Sequence, residues 1–393
     1  MKQFRYFLAI LLATMTAQVT MAETYYEGST LKAKTTEGVE MKFYVIDPSA
    51  KTCRVAGYCI DSNTSGKITI PYSVEGFRVV ELSSSAFSGR KNITSVNVSS
   101  GVEKIGNYAF DGCESLTSVS LPYNLTDLGE STFYGCKKME SISIPSKITV
   151  LGRRLFYNCE SLKSITWPTG LETIEDYAFG YCKSLESIAL PANVTTIGND
   201  AFYHCEALKT FSGGQSLTEI GGSAFEYCGA LTSVTLPSTV KTIGTYAFYG
   251  CKSLATITGI VNVEALGQSA FYGTPWLDSL PDGLLYIGKV FYQYKGTMPQ
   301  DTKIDIKEGT TSITGGATSW QSTLIAVTIP QSVVSIGDNP FYGCGNLNSI
   351  SVAVGNKNYD SRDGCNAIIH TSSNSLISGC INTFIPNSVK YIG

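Results

Sequence analysis

The sequence predicts a repeat solenoid: a right-handed coil of 23-residue turns stacked along one parallel β-sheet, entered through a β-rich N-terminal cap. Three observations carry that expectation. Phenylalanine returns at Phe87, Phe110, Phe133, Phe156, Phe179, Phe202, Phe225, Phe248 and Phe271, each step 23 residues with no slip. Cysteine follows three places later at Cys113, Cys136, Cys159, Cys182, Cys205, Cys228 and Cys251. Between them apolar and hydroxyl residues alternate, as in Ser118-Val119-Ser120-Leu121. A fixed period of this length marks units that cannot bury an apolar face alone and must share one core with their neighbours.

Within one unit, Leu116, Val119 and Leu121 enter and line a short strand, whose alternation with Ser118 and Ser120 makes one face apolar and the other hydroxylic. Pro122 ends the strand because it has no N–H for a ladder. Leu125 and Leu128 point back inward, Gly129 is read as allowing a turn that other residues resist, and Phe133 and Cys136 close the coil. Stacking places the parallel strands about 4.8 Å apart.

The run Leu116-Thr117-Ser118-Val119-Ser120-Leu121 fits the L-x-x-L-x-L pattern of a leucine-rich repeat. The longer unit, Ile-Gly-x-x-Ala-Phe-x-x-Cys-x-Ser-Leu-x-Ser-Val-x-Leu-Pro, resembles the BspA-type leucine-rich repeat of bacterial and some protist surface proteins, over residues 66–393. Asn124 and Asn193 hold the asparagine position after the strand, but Lys147, Gly170 and Thr239 replace it elsewhere, so no regular asparagine ladder is expected. The resemblance implies a leucine-rich-repeat-like coil and surface adhesins that attach to host matrix proteins or other cells.

Residues 1–22 read as an export signal: Lys2 and Arg5, then an apolar run, then Thr20-Met21-Ala22 as a small-residue cleavage site. Its apolar run is too short for a transmembrane segment, and no other stretch approaches ~20 apolar residues. Its removal leaves 27 basic against 32 acidic residues, a net charge of −5 that argues against nucleic acid as a partner. Residues 23–86 depart from the period and read as an N-terminal β cap, with a small hairpin near Glu75-Gly76 and with Cys53 and Cys59 on one strand, too far apart for a disulfide. Residues 87–393 are the solenoid. Its coils become irregular near 280–320, where Thr318 takes the phenylalanine slot, and it carries a hairpin insertion at 352–381. The last coil stops in mid-repeat, which suggests a fragment of a longer protein.

The cysteine column invites a disulfide or metal reading. Equivalent cysteines one coil apart point the same way, and metal binding needs ligands converging from different directions, so they are read as small buried apolar residues. On the strand, Ser118, Ser141, Ser164 and Ser187 form a hydroxyl column beside Glu140, Lys163, Glu186 and Lys209, which alternate in sign. This face has few of the aromatic and arginine side chains that dominate interfaces. Tyrosine numbers 23 and clusters just after the spine phenylalanine, at Tyr134, Tyr157, Tyr181, Tyr203, Tyr227, Tyr249 and Tyr272. These seven are the candidate partner-binding residues, since tyrosine offers large contact area at low entropic cost; the competing reading is packing of each on the next coil.

Two histidines, His204 and His370, and no metal-binding histidine pair, nucleophile elbow or phosphate loop leave no catalytic residues to nominate, no metal site and no cofactor. In the insertion, a loop at 371–374 sets Cys365 directly opposite Cys380, within disulfide range. The expectation is an exported, monomeric binding module for an extracellular protein, host matrix included, not an enzyme. The alternatives are a passive spacer presenting a domain beyond residue 393, or glycan binding through the tyrosines.

Overall fold

The computed structural model describes residues 25–392; the expected export signal at 1–22 lies outside them. Each coil contributes a three-residue strand to a parallel column. Ser95↔Ser118, Val96↔Val119 and Asn97↔Ser120 pair in register, as do Ser187↔Thr210, Ile188↔Phe211 and Ala189↔Ser212 further on. The expected sheet has a companion. A second parallel ladder of two-residue strands, among them Lys104–Ile105, Asp127–Leu128 and Thr173–Ile174, runs along the other side of the coil.

A third set of hydrogen bonds joins the turns that hold the phenylalanines. Tyr108, Phe110 and Gly112 donate their N–H groups to the carbonyls of Glu130, Thr132 and Tyr134 on the next coil, at 2.8–3.0 Å. The intervening Asp111 and Cys113 donate backwards within the turn, to Tyr108 and Phe110. Tyr108 and Gly112 have φ of 59° and 67°. These left-handed residues flank the phenylalanine and recur in each regular coil, and from Ser85 to Gly250 every second N–H of these turns meets a carbonyl of the next coil.

The phenylalanines form the spine. Phe87 to Phe271 are all fully buried, and neighbouring rings stack at 5.1–5.5 Å with interplanar angles no larger than 17°. The seven regular cysteines are buried free thiols, each donating its S–H to the phenylalanine carbonyl of the preceding coil at 3.1–3.3 Å. Burial pushes these thiols up, Cys113 and Cys251 to about 12, and it raises Cys136, Cys182 and Cys228 well above the usual thiol range. The Ile-Gly glycine acts differently from its expected role. Gly129 is not in the left-handed region; a Cβ there would stand 2.5 Å from the backbone N of Asn107. The residue is glycine because two coils approach closely, not because the chain turns.

At the N-terminus, Thr30–Lys34, Glu40–Asp47 and Thr52–Val55 form an antiparallel sheet. Its last strand pairs in parallel with Phe77–Leu82, which joins Lys104–Ile105, so this sheet runs straight into the second ladder. Cys53 and Cys59 do not share a strand, because the strand ends at Val55; both are buried free thiols.

After Phe271 a short helix, Pro275–Ser279, and the hairpin strands Gly283–Ile287 and Val290–Lys295 interrupt the coils. The buried Tyr292 ends the spine: its hydroxyl accepts the N–H of Phe271 at 3.1 Å, a bond that an alanine carbonyl makes in earlier coils. Thr318 then fills the phenylalanine slot, fully buried, with the Cys344 thiol donating to its carbonyl at 2.9 Å.

The insertion hairpin has the expected loop, between Ala367–His370 and Ser375–Gly379, but not the expected register. Ile369 pairs with Leu376 and Ile368 with Ser378, so Ile377 is an extra residue that shifts everything beyond it by one. Ala367, not Asn366, therefore faces Gly379, and Cys365 and Cys380 are not opposed. Both are free thiols with separate acceptors, Ala367 O for Cys365 and Asn366 O for Cys380. The Cys365–Cys380 disulfide expected from the sequence is thus corrected: one bulged residue changes strand faces.

Phe179 has stacked neighbours on both sides and Trp167 at its edge, whereas Phe87 stands at the start of the spine. Phe179→Ala should cost roughly 3–5 kcal/mol, and Phe87→Ala less, in denaturant melts. The seven column thiols should resist iodoacetamide at neutral pH in native protein and react fully once it is unfolded; labelling of native Cys182 is the outcome that contradicts the buried column.

Candidate functional site

Of the two positions after each spine phenylalanine, Gly135 and Gly180 are buried and the others are half-buried or exposed, and here the aromatic residues gather. The first holds Tyr134, Tyr157, Tyr203, Tyr249 and Tyr272. The second is left-handed in every regular coil and is usually glycine, as at Gly112, Gly135, Gly250 and Gly273. Four consecutive coils break that pattern, with Asn158 at φ 61° and then three rings, Tyr181, His204 and Tyr227, at φ of 60°, 55° and 59°. Holding a bulky side chain there costs roughly 1–2 kcal/mol per residue relative to glycine. Strain of this kind concentrates at functional positions.

The structure brings all seven sequence-predicted tyrosines into one unbroken chain of ring contacts. Centroid separations are 5.1 Å for Tyr134–Tyr157, 5.4 Å for Tyr157–Tyr181 and Tyr181–Tyr203, 6.1 Å for Tyr203–Tyr227, 5.7 Å for Tyr227–Tyr249 and 5.3 Å for Tyr249–Tyr272. His204 sits in the middle, 5.0, 4.6 and 4.8 Å from the rings of Tyr181, Tyr203 and Tyr227. Glycine makes the chain possible where the tyrosine changes position. A Cβ on Gly180 would lie 2.9 Å from the Tyr157 ring, and one on Gly250 would lie 2.7 Å from the Tyr227 ring.

Tyr177 and Tyr246, left-handed residues on the near side of the phenylalanine, widen the strip through edge contacts to Tyr157 at 6.1 Å and Tyr249 at 5.4 Å. The Arg154 guanidinium lies over Tyr177, 5.3 Å from its centroid. Burial raises Asp200, against a hydrogen bond from Tyr177 that lowers it. Burial, with Tyr181 and Glu226 nearby, pushes the Tyr203 hydroxyl up to about 12. Tyr203 therefore stays neutral at physiological pH. The result is a rigid strip about 30 Å long at ~4.8 Å per coil, apolar on its ring faces and polar at its hydroxyls. It has the character of a contact surface.

The strand face offers less. Its hydroxyl column pairs coil to coil, as Ser141↔Ser164 and Ser233↔Thr256, and is edged by exposed ion pairs Glu140–Lys163 at 3.0 Å and Glu186–Lys209 at 2.8 Å. An open hollow over its first coils is lined mainly by Ser95, Asn97, Ser118, Ser120 and Tyr123. Among the described residues, no group of three or more His, Cys, Asp or Glu could hold a metal ion. No described helix is long and apolar enough to cross a membrane.

One part of the aromatic surface escaped the sequence reading. Trp320, at φ 66°, occupies the same left-handed position two residues after Thr318, and is 72% exposed. Tyr342 meets it edge-on at 5.1 Å, and a Cβ on Gly343 would stand 2.6 Å from its ring. This repeats the arrangement of Tyr227, Tyr249 and Gly250. The 23-residue step from Trp320 to Gly343 was the available signal, hidden because threonine stands in the phenylalanine slot.

A family model described as the BspA type leucine rich repeat region matches residues 80–209, 172–298 and 285–393. No curated protein matches the sequence. Among solved structures, the chain is similar to a leucine rich repeat protein of T. pallidum, 26% identical over 62% of this chain and 88% of that one, with a TM-score of 0.33. It is also similar to a leucine rich cell surface protein of Faecalibacterium prausnitzii, 23% identical over 83% and 95%, TM-score 0.40. The pneumococcal vaccine antigen PcpA is 17% identical over 94% of each chain, TM-score 0.48.

The left-handed positions make a reversal testable. At Tyr181, His204 and Tyr227 the glycine variant should be more stable than the alanine variant by about 1 kcal/mol. At Tyr203 and Tyr249 alanine should be the more stable, because their φ is not positive. Denaturant melts of the paired variants read the order directly.

Proposed function

The chain belongs to the BspA-type leucine-rich repeat family, and on that premise we propose that it is a secreted or cell-surface module that holds an extracellular protein against its tyrosine ladder. The observation that carries this reading is the unbroken ring chain from Tyr134 to Tyr272, built in part on backbone positions that elsewhere take glycine. Packing on the next coil accounts for a tyrosine at the unstrained position. It does not account for aromatic side chains at three successive strained ones. Tyrosine supplies contact area with little side-chain entropy to lose, and the interlocked rings have lost most of it already. The family resemblance makes host matrix proteins or other cells the partners to test, with the chain acting as an adhesive monomer, without catalysis or cofactor. Export through residues 1–22 belongs to the same reading.

The test is capture of host matrix proteins by the mature protein, with a soluble glycan array alongside. Alanine at Tyr134, Tyr157 and Tyr203 together should weaken capture by about tenfold or more, while alanine at Ser141, Ser164 and Ser187 leaves it nearly unchanged. A larger loss from the serine set moves the site to the strand face. Retention of glycans alone replaces the protein partner with a carbohydrate, and capture by neither leaves the solenoid a spacer.

A further inference from the structure

Because each coil repeats the last, one stretch of the ladder serves as a reference for another. Tyr177 and Tyr246 occupy the same left-handed column three coils apart, both with φ of 59°. One coil before Tyr177 that column holds Arg154, whose guanidinium covers the ring at 5.3 Å. One coil before Tyr246 it holds Ser223, too short to cover anything. Among the described residues no cation of the chain lies over Tyr246, which is 40% exposed.

The surroundings of Tyr246 suit a cation from outside. Tyr249 stands perpendicular to it at 5.4 Å, Tyr227 is perpendicular to Tyr249 at 5.7 Å, and Tyr272 stacks on Tyr249 at 5.3 Å. These four rings line one hollow together with Glu226 and Ser269. Mutually perpendicular rings present their negative faces from more than one direction, which is how aromatic groups hold an organic cation. Glu226 adds a full negative charge, and among the described residues it forms no salt bridge.

We propose that the hollow of Tyr227, Tyr246, Tyr249 and Tyr272, with Glu226 in its wall, binds an arginine or lysine side chain of the protein partner, a cation of the kind that Arg154 supplies at Tyr177. This rests on the tyrosine ladder being the binding surface and adds the chemistry it selects. A guanidinium stacks flat on one ring while its edge donates to the carboxylate; an ammonium uses the same charge with less stacking.

The probes are short blocked peptides, Gly-Arg-Gly and Gly-Lys-Gly, with citrulline in place of arginine as the uncharged control. Binding to the whole mature protein is followed by saturation-transfer NMR at low salt. Both basic peptides should bind weakly, and the citrulline peptide about tenfold more weakly or not at all. Ser223→Arg should lay a guanidinium over Tyr246, as Arg154 lies over Tyr177, and abolish binding. It should fold, since Ser223 at φ 52° and Arg154 at φ 54° share one backbone conformation. Equal binding of the citrulline and arginine peptides overturns the proposal, as does unchanged binding in folded Ser223→Arg protein or displacement by neutral methyl glycosides alone. If no basic peptide binds while capture of a matrix protein still depends on Tyr134, Tyr157 and Tyr203, the cation site fails and the ladder survives.

Discussion

Every feature of this molecule follows from one constraint: each coil must lie on its neighbour at the spacing of a parallel β ladder, about 4.8 Å. At that spacing a residue's nearest non-local neighbour is its own equivalent, 23 positions away. Side chains tolerate such self-contact only if they attract or ignore their own kind. Phenylalanine rings do so by parallel offset stacking, 5.1–5.5 Å apart along the spine. Thiols do so by all pointing at the carbonyl of the coil behind. Charged residues do so only by alternating sign, as Glu140 with Lys163 and Glu186 with Lys209. Where the backbones themselves come too close for any side chain, glycine is required, as at Gly129 and Gly244.

The same constraint creates the strain at the surface. Turns that lack a regular strand must still send their N–H groups to the next coil, and a left-handed residue on either side of the phenylalanine achieves this. On the far side glycine does so at least cost, as at Gly112, Gly135 and Gly250, whereas on the near side Ser131, Arg154, Asp200 and Ser223 hold the same conformation. Tyr181, His204 and Tyr227 keep the same axial bonds, to the carbonyls of Tyr203, Glu226 and Tyr249 at 2.7–2.9 Å, while carrying large rings. The fold gains nothing there that glycine would not supply. What the aromatic residues add is continuity of the strip.

The period, the phenylalanine spine, the buried thiols and the membership of the tyrosines in one surface were legible in the sequence because all are properties of columns. What was not legible depends on backbone angles or on single residues. The second ladder is built from pairs such as Lys104–Ile105, too short to show an alternation. Gly129 resembles a turn glycine by its sequence neighbours and differs only in what lies one coil away. The bulge at Ile377 has no compositional mark, yet it alone decides that Cys365 and Cys380 do not meet. The continuity of the ladder was half legible: Tyr181 and Tyr227 sit one place out of column, and only the space above Gly180 and Gly250 explains how the rings still touch.

In such a lattice the consensus residues describe the scaffold, and departures from it single out particular coils. A column that has glycine in most coils and an aromatic ring in three adjacent ones has been altered at a place, not along its length. Trp320 repeats that alteration beyond the irregular coils, again beside a tyrosine and a glycine, so the surface chemistry persists where the spine phenylalanine itself has been replaced by Thr318. Core and surface columns therefore vary independently, since each answers to its own neighbours one coil away. That independence lets the exchange of Arg154 for Ser223 uncover a ring three coils on without disturbing the Phe156 to Phe225 stack beneath it. A solenoid of this kind can change what it binds by substitutions at two positions per coil, while the stacking that holds it together remains untouched.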